Sequence, residues 1–207
     1  PFQFQTGLDA GQLELTFIRV EDAHRRFVSS PLSAVANQLE REVLVQSVHG
    51  TNTIEGAELS ESQTEAVLDL PPEQIANDNE IRVRNIKSAY DLAIASATNP
   101  DWVLDVSFMQ AVHAEISRDL VHADNKPGLI RDNPRNRITY VGNAEHGGRY
   151  KPPQYRGDII KLLQGLVEWH ISLVHANIPA LIRAPLVHFY FECIHPFWDC
   201  NGRTGRV

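Results

Sequence analysis

Five polar side chains near the end of the printed sequence have the types and spacing needed to handle a polyphosphate. His195 is a candidate base at the end of a predicted helix, and Asp199 is a carboxylate suited to a hard cation such as Mg2+. Asn201 is expected to cap the next helix, whose first free amide groups favour anions. Arg203 and Arg206 are three residues apart, so they share a helical face and are suited to grip phosphate oxygens. The segment therefore predicts a site for a polyphosphate and a cation.

This segment resembles the signature of the Fic family, His-x-Phe-x-Asp/Glu-Gly-Asn-Gly-Arg-x-x-Arg. All specified positions but one agree, and the matching residues are His195, Phe197, Asp199, Asn201, Gly202, Arg203 and Arg206. The departure is Cys200, where the family has Gly. Glycine at a tight turn permits a positive φ or the close approach of a ligand, so a Cβ there is expected to strain the loop or crowd a phosphate. Because Cys is small, we expect reduced activity at worst.

The resemblance implies a nucleotidyltransferase, most often one that moves AMP from ATP to a Ser, Thr or Tyr hydroxyl of a target protein. His195 would accept the proton of the attacking hydroxyl, and Asp199 would hold Mg2+ on the α- and β-phosphates. Transfer of this kind depends mainly on positioning and on stabilising negative charge. The implied phosphate-binding residues are Cys200, Asn201, Gly202, Arg203 and Arg206.

A second motif, Thr51-Asn-Thr-Ile-Glu55-Gly56, is similar to the inhibitory helix motif of many Fic proteins, Ser/Thr-x-x-x-Glu-Gly/Asn. In that group the Glu reaches the second Arg of the signature, here Arg206, and takes the place of the γ-phosphate. The chain would then carry its own inhibitory helix N-terminal to the signature, with Thr51 and Glu55 as inhibitory residues. The plainer interpretation is that Gly56 ends a helix, which is compatible with inhibition. Some such proteins use the Glu to activate a water that removes AMP, so Glu55 is a candidate for either role.

A short run, Ile138, Thr139, Tyr140 and Val141, is followed by a Gly-rich bend and a second run ending in Pro-Pro, a pattern typical of a β-hairpin. We call residues 138–153 the flap hairpin. Within the Fic family this position corresponds to the flap, which holds the target as an added strand over the active site. Pro127-Gly128 and Arg131 just before it also resemble the family. Without the signature, the pattern would indicate an ordinary surface hairpin.

The remaining sequence predicts one helix after another. Apolar spacing and turn residues indicate helices near 8–27, 31–46, 60–68, 79–97, 106–121, 156–176 and 178–194. Leu32, Val35, Leu39 and Val43 lie on the apolar face of the second of these. The fold is therefore expected to be all-α, a Fic-type helical bundle with a short β-hairpin flap. We expect residues 1–50 to form an N-terminal helical extension and residues 51–207 the Fic domain, with further sequence beyond residue 207.

Composition narrows the function classes. The net charge of −7 argues against a general nucleic-acid or membrane surface, and no transmembrane run or signal peptide is visible, so a cytoplasmic protein is expected. Cys193 and Cys200 are the only cysteines, and a structural disulfide between them is not expected. Self-modification and a homodimer are further expectations.

Three alternatives remain open from the sequence. His188, Glu192 and His195 fall at i, i+4 and i+7 on one helical face, a spacing that suits a zinc hydrolase. A protein that binds nucleotide without turnover is the second, although a retained base and metal ligand argue against it. The third keeps the enzyme and changes the donor, since some Fic proteins transfer UMP or phosphocholine.

Overall fold

A computed structural model describes residues 2–7, 10–31, 36–143, 145 and 147–207. Within these ranges the chain is built almost entirely from α-helices, which confirms the all-α prediction. One short 3-10 helix, Pro72–Gln74, follows the third of them. The helices, numbered in chain order, are α1 (Ala10–Val28), α2 (Ala36–Ile54), α3 (Glu61–Leu68), α4 (Asp78–Ala97), α5 (Val106–Ser117), α6 (Arg156–His175), α7 (Ala180–Ile194) and α8 (Asn201–Arg206).

Side-chain caps determine where several helices begin. Ser60 accepts a hydrogen bond from the Gln63 amide, and the Gln63 side chain accepts one from the Ser60 amide, so a capping box begins α3. Asn77 caps α4 and Asp105 caps α5 in the same way, through side-chain oxygens. Each cap satisfies an amide that the helix leaves free and contributes about 1 kcal/mol.

Two apolar clusters hold the helices together. The first joins α6 and α7 to the loop after α7 through side chains such as Leu163, Ile194 and Phe197, each fully buried. The second joins α2, α4 and α5, with Val48 and Ile86 at its centre. Complete burial of one such side chain contributes about 1.5–3 kcal/mol, so these clusters fix the position of the loop between α7 and α8.

The structure changes several predicted boundaries. Helix α2 ends at Ile54, eight residues after the predicted end at residue 46, so Thr51 lies within it and Glu55 follows directly. The predicted division at residue 50 therefore falls inside a helix, while the division into two domains stays a prediction. Leu32 and Val35 lie outside the described residues. Helix α5 ends at Ser117 instead of residue 121, because the backbone of Asp119 is left-handed.

The flap hairpin is paired at a single point. The amides of Val141 and Tyr150 donate to each other's carbonyl oxygens over 2.9 and 2.8 Å, which makes one isolated antiparallel bridge. The Thr139 amide donates to the Gln154 side-chain oxygen instead of a partner strand. Sequence therefore predicted the turn correctly and overestimated the length of its strands.

No helix in the described ranges is long and apolar enough to cross a membrane.

Candidate active site

The end of α2, the second half of α7, the following loop and α8 enclose a cavity of about 360 Å³. Seven of the predicted site residues meet there. Its lining consists of Glu55, His188, Glu192, His195, Trp198, Asp199, Cys200, Asn201, Gly202 and Arg206. Arg203, Thr51 and the flap residues 138–141 do not line it. Thr51 is buried within α2, and Arg203 lies beneath the loop with only 5% of its surface exposed.

His195 ends α7 in a left-handed conformation, with φ of 50°, which turns the chain sharply into the cavity wall. Its amide donates to Phe191 O over 2.8 Å, and its carbonyl oxygen accepts from Arg131 Nε over 2.6 Å. Burial lowers the pKa of His195 to about 4, with Arg131 adding to the effect and Asp199 opposing it. The imidazole is therefore neutral at pH 7 and able to accept a proton.

Arg131 holds this loop from behind. Its side chain is fully buried, and burial lowers its pKa to about 10, so it stays cationic at neutral pH. Besides His195 O, it donates to Asn133 Oδ1 over 2.8 Å and to Pro153 O. No described carboxylate forms an ion pair with it. A buried guanidinium that donates to carbonyl oxygens from the loop and from the flap hairpin ties these two segments together.

Asn201 braces the loop and does not cap α8, which corrects the sequence prediction. Its Oδ1 accepts from Phe197 N over 2.8 Å, and its Nδ2 donates to Phe197 O over 2.9 Å. The N-cap residue is Cys200, without a side-chain cap hydrogen bond. Because the Asn201 amide is used in both directions by the backbone four residues earlier, it is not available to the first turn of the helix.

His113 on α5 supports the same loop from the opposite side, and its ring stacks on that of Phe197 with centroids 3.7 Å apart. The Gly128 amide donates to His113 Nδ1 over 2.9 Å, so the ring proton is on Nε2, which donates to Asp199 O over 3.2 Å. Burial lowers the pKa of His113 to about 4. Sequence analysis missed His113, whose only signal was a polar residue among the apolar positions of a buried helix face.

Asp199 and Cys200 form the sharp turn before α8. Asp199 Oδ1 accepts from the Cys200 amide over 2.7 Å and lies 3.8 Å from Arg203 Nη2. Cys200 has φ of 60°, the left-handed conformation that explains why glycine is the family residue here. Its side chain belongs to the buried apolar cluster around Val48, and burial raises the pKa of the thiol to about 12. Both cysteines are free thiols.

Glu55 and Arg206 face each other across the cavity. Arg206 Nη2 donates to Glu55 Oε1 over 2.5 Å, and 22% and 29% of the two side chains are exposed. A Cβ added to Gly202 would lie 2.5 Å from Glu55 Oε1 and 3.1 Å from Arg206 Nη1. The missing side chain at Gly202 therefore leaves room for this ion pair.

Several buried donors in the site have no partner within the described residues. They include Arg203 Nε and Nη1 and Arg206 Nε. Unpaired guanidinium nitrogens beside a cavity fit an anion that accepts several hydrogen bonds, and a polyphosphate supplies such acceptors. The Asp199 Oδ2 atom has no hydrogen bond from the described part of the chain, so this carboxylate oxygen is open to a cation.

The zinc alternative does not fit the geometry. His188 Nδ1 donates to Gly205 O over 2.8 Å, which fastens α8 to α7. Burial raises the pKa of Glu192, with Glu55 adding to the effect and His188 and Arg206 opposing it. Across the described ranges, His, Cys, Asp and Glu residues form no group of three that could hold a metal ion.

Comparisons with known proteins identify the family of this chain. A family model described as Fic/DOC family matches residues 103–207. Protein adenylyltransferase fic-1 of Caenorhabditis elegans is 29% identical over 198 residues, covering 91% of this chain and 35% of that protein. Protein adenylyltransferase Fic of Drosophila ananassae is 29% identical over 179 residues, covering 84% of this chain and 33% of that protein. The chain thus spans about a third of the length of these relatives.

Solved structures show the same fold. A Fic family protein from Desulfovibrio desulfuricans G20 superposes with a TM-score of 0.74 at 23% identity, covering 99% of this chain and 57% of that one. A Fic domain containing signaling protein from Bacteroides thetaiotaomicron gives a TM-score of 0.73 at 19% identity, covering 90% of this chain and 68% of that one.

Proposed function

Because this chain belongs to the Fic/DOC family, we propose that it is a protein adenylyltransferase that moves AMP from ATP to a Ser, Thr or Tyr hydroxyl of a target protein. The observation that carries the proposal is the meeting, in one cavity, of a neutral base, a carboxylate and an arginine: His195, Asp199 and Arg206. Hydrolysis by zinc needs a ligand cluster that the described residues do not form.

In the proposed step, His195 accepts the proton of the target hydroxyl while that oxygen attacks the α-phosphorus of ATP. The new oxygen–phosphorus bond forms as the bond to the β-phosphate oxygen breaks, and pyrophosphate leaves. A positioned base of this kind accelerates transfer roughly 100- to 10,000-fold. The depressed pKa keeps His195 unprotonated, and the Arg131 hydrogen bond to its carbonyl oxygen fixes where the ring is placed.

The phosphates would be held from the α8 side. Arg206 would bind the outer phosphate, and Arg203, with two unpaired nitrogens, would add positive charge beneath the loop. Asp199 would hold Mg2+, which neutralises charge on the phosphate oxygens when bound. The short distance from a Gly202 Cβ position to Arg206 indicates that only a residue without a side chain leaves this space to a ligand.

We further propose that Glu55 inhibits the transferase. Its carboxylate pairs with Arg206, the residue that would bind the outer phosphate. The same carboxylate would place a second negative charge beside that phosphate. Partly exposed ion pairs contribute at most about 1 kcal/mol, so a nucleotide or a partner is able to displace this contact.

Removal of AMP from a modified target is a second candidate activity. The observation that favours it is that Glu55 lines the same cavity as His195, which gives the site a second carboxylate able to activate a water.

Transfer of label from α-32P-ATP to protein tests the proposal. In the presence of Mg2+, we expect the Glu55→Gly variant to transfer AMP to itself faster than the chain with the original sequence does, because the inhibitory carboxylate is gone. The matched control is Glu58→Gly, an exposed glutamate three residues on that has no ion pair within the described residues. His195→Ala in the Glu55→Gly background is expected to abolish labelling while ATP still binds.

Labelling that persists without His195 would remove it from the role of base. An equal rate in Glu55→Gly and the unmodified chain would contradict the inhibitory role. Loss of label from a pre-modified target, catalysed by the unmodified chain and absent in Glu55→Gly, would support the second candidate. The expected homodimer and cytoplasmic location stay predictions.

A further inference from the structure

Positive charge is concentrated in one part of this acidic chain. Residues 126–151, which we call the basic segment, contain six Lys and Arg and two Asp and Glu, a net charge of +4. The rest of the chain carries −11. The basic segment includes residues 138–151 of the flap hairpin, all but its last two, and therefore adjoins the face at which a target protein would approach His195.

Most of these cations are exposed and form no ion pair with a described residue. Lys126, Arg135, Arg149 and Lys151 are all exposed, and none forms an ion pair with a described residue. Arg137 is the exception, since it pairs with Asp124 over 2.6 Å. Exposed cations that no carboxylate neutralises give this face a positive potential that attracts an acidic partner.

The same segment offers an open backbone edge. Thr139 and Val141 use their amides within the flap, toward Gln154 and Tyr150. The alternate residues Ile138 and Tyr140 have backbone groups without partners in the described chain, and about half of each residue is exposed. An edge of this kind pairs with an extended polypeptide through main-chain hydrogen bonds and leaves sequence choice to side chains.

Two contacts connect this face to the cavity. Arg131 donates to His195 O in the loop and to Pro153 O in the flap hairpin, so one guanidinium connects the two. The Arg137 guanidinium lies 4.3 Å from the centre of the Trp198 ring, and Trp198 lines the cavity. A peptide bound to the open edge would therefore lie beside the loop that carries His195. In the sequence of this chain, exposed cations both precede and follow the residues of that edge.

We propose that the basic segment selects its target, and that the preferred acceptor is an extended polypeptide segment carrying Asp or Glu on both sides of the modified hydroxyl. This inference rests on the proposed transferase function and adds the chemical class of its protein substrate. A polypeptide fits better than a nucleic acid because the free groups at Ile138 and Tyr140 are a backbone donor and acceptor pair, which a polypeptide backbone matches and a phosphate backbone does not.

Binding of short fluorescent peptides, measured by anisotropy without ATP, tests the inference. The peptides share a central Thr and differ only in flanks of Glu, Gln or Lys, and a single-stranded oligonucleotide of similar length is the fourth probe. We expect the Glu peptide to bind roughly ten-fold more tightly than the Gln peptide at low salt, and the difference to shrink as salt screens the charges. Unmodified protein is used, so this comparison needs no variant to fold.

A charge-reversed variant then locates the effect. Arg135→Glu, Arg149→Glu and Lys151→Glu together are expected to abolish the preference for Glu flanks. The matched control reverses three exposed cations outside the segment, Arg19, Arg25 and Lys161, and has the same net charge. It is expected to keep the preference. Circular dichroism confirms that both variants are folded.

Equal binding of the three peptides, or the same loss of preference in the control, would overturn the inference. Tighter binding of the oligonucleotide would also overturn it, in favour of a nucleic-acid partner. Because binding is measured without ATP, failure of the transfer reaction does not affect this result. Efficient transfer to Gln- and Glu-flanked peptides alike would leave the transferase in place and contradict only the substrate class.

Discussion

Arg206 and Glu55 form a 2.5 Å ion pair although 151 positions separate them in the chain. Arg206 ends α8, and Glu55 directly follows α2, so the pair joins the end of α2 to α8. Both residues line the same cavity as His195 and Asp199. In the proposed function, binding of a nucleotide and pairing of these two side chains would compete for the Arg206 guanidinium.

A double-mutant cycle measures this competition. Glu55→Gln is expected to raise the affinity for a non-hydrolysable ATP analogue roughly five-fold, because a partly exposed charge contributes about 1 kcal/mol. Arg206→Ala is expected to lower the affinity, and Glu55→Gln is expected to have a smaller effect in that background. Titration calorimetry reports each dissociation constant, with Glu58→Gln as the control. Additive effects of the two changes would contradict a direct coupling.

The pH dependence follows from two buried imidazoles. His113 and His195 both have a pKa of about 4 in the folded chain against an ordinary value of 6.5. The unfolded chain therefore binds more protons between these values, and stability falls as pH drops from 6.5 toward 4. Each group contributes up to about 3 kcal/mol to this loss, less for His195, which is partly exposed.

Urea unfolding at several pH values measures how steeply stability falls with pH, and His113→Gln is expected to reduce that slope.

The pH dependence of transfer is a separate prediction. We expect kcat/KM to stay level between about pH 6 and 8, because His195, the proposed base, titrates below this range in the free enzyme. An apparent pKa near 6.5 in kcat/KM would show that His195 is ordinary in the free enzyme.

Gly205 sets the distance between α7 and α8. A Cβ there would lie 2.5 Å from Glu192 Oε1, 2.9 Å from His188 Nδ1 and 3.0 Å from Phe191 Cδ1. We expect Gly205→Ala to cost about 1–3 kcal/mol of stability and to weaken nucleotide binding, because Arg206 is the next residue. The control is Gly157→Ala in α6, where an added Cβ meets nothing within 4 Å. Equal binding of the ATP analogue by both variants would contradict the idea that close packing at Gly205 positions α8.

Arg131 is expected to be irreplaceable by lysine. Its guanidinium donates to His195 O, Asn133 Oδ1 and Pro153 O at once, and a single ammonium group does not match that fork. Arg131→Lys should therefore lower stability by about 2–4 kcal/mol, since buried acceptors lose their donors. It should also lower kcat more than it raises KM. The exposed Arg135→Lys is the control, and equal unfolding midpoints for the two variants would contradict the bracing role.

At position 200, glycine is expected to give a more stable protein than alanine. Glycine relieves a left-handed conformation that costs an L-residue about 1–2 kcal/mol, and it loses a buried thiol contact of similar size. Alanine loses the contact and keeps the strain. We therefore expect Cys200→Gly to match the unmodified chain in stability, with transfer equal or faster, and Cys200→Ala to be about 1 kcal/mol less stable. Thermal unfolding that ranks Ala above Gly would contradict this account.

Sequence by itself determined the elements whose signal is local. The signature residues from His195 to Arg206 lie within one loop and one turn of helix, so their spacing alone predicted that they share a site. The capping box at Ser60 is equally local, because both partners are three residues apart. The family glycine at the position of Cys200 predicted either a positive φ or the close approach of a ligand, and Cys200 has a φ of 60°.

Only the tertiary structure decided which partners the polar side chains take. Asn201 was expected to cap a helix and instead holds Phe197, because the compact loop brings that backbone within reach. His113 contacts Asp199, which lies 86 positions further along the chain, and helical periodicity does not encode this contact. The local sequence shows which polar side chains are present and how far apart they lie along the chain. Their protonation, burial and partners depend on packing between distant segments, and this packing makes His195 a neutral base and sets Glu55 against Arg206.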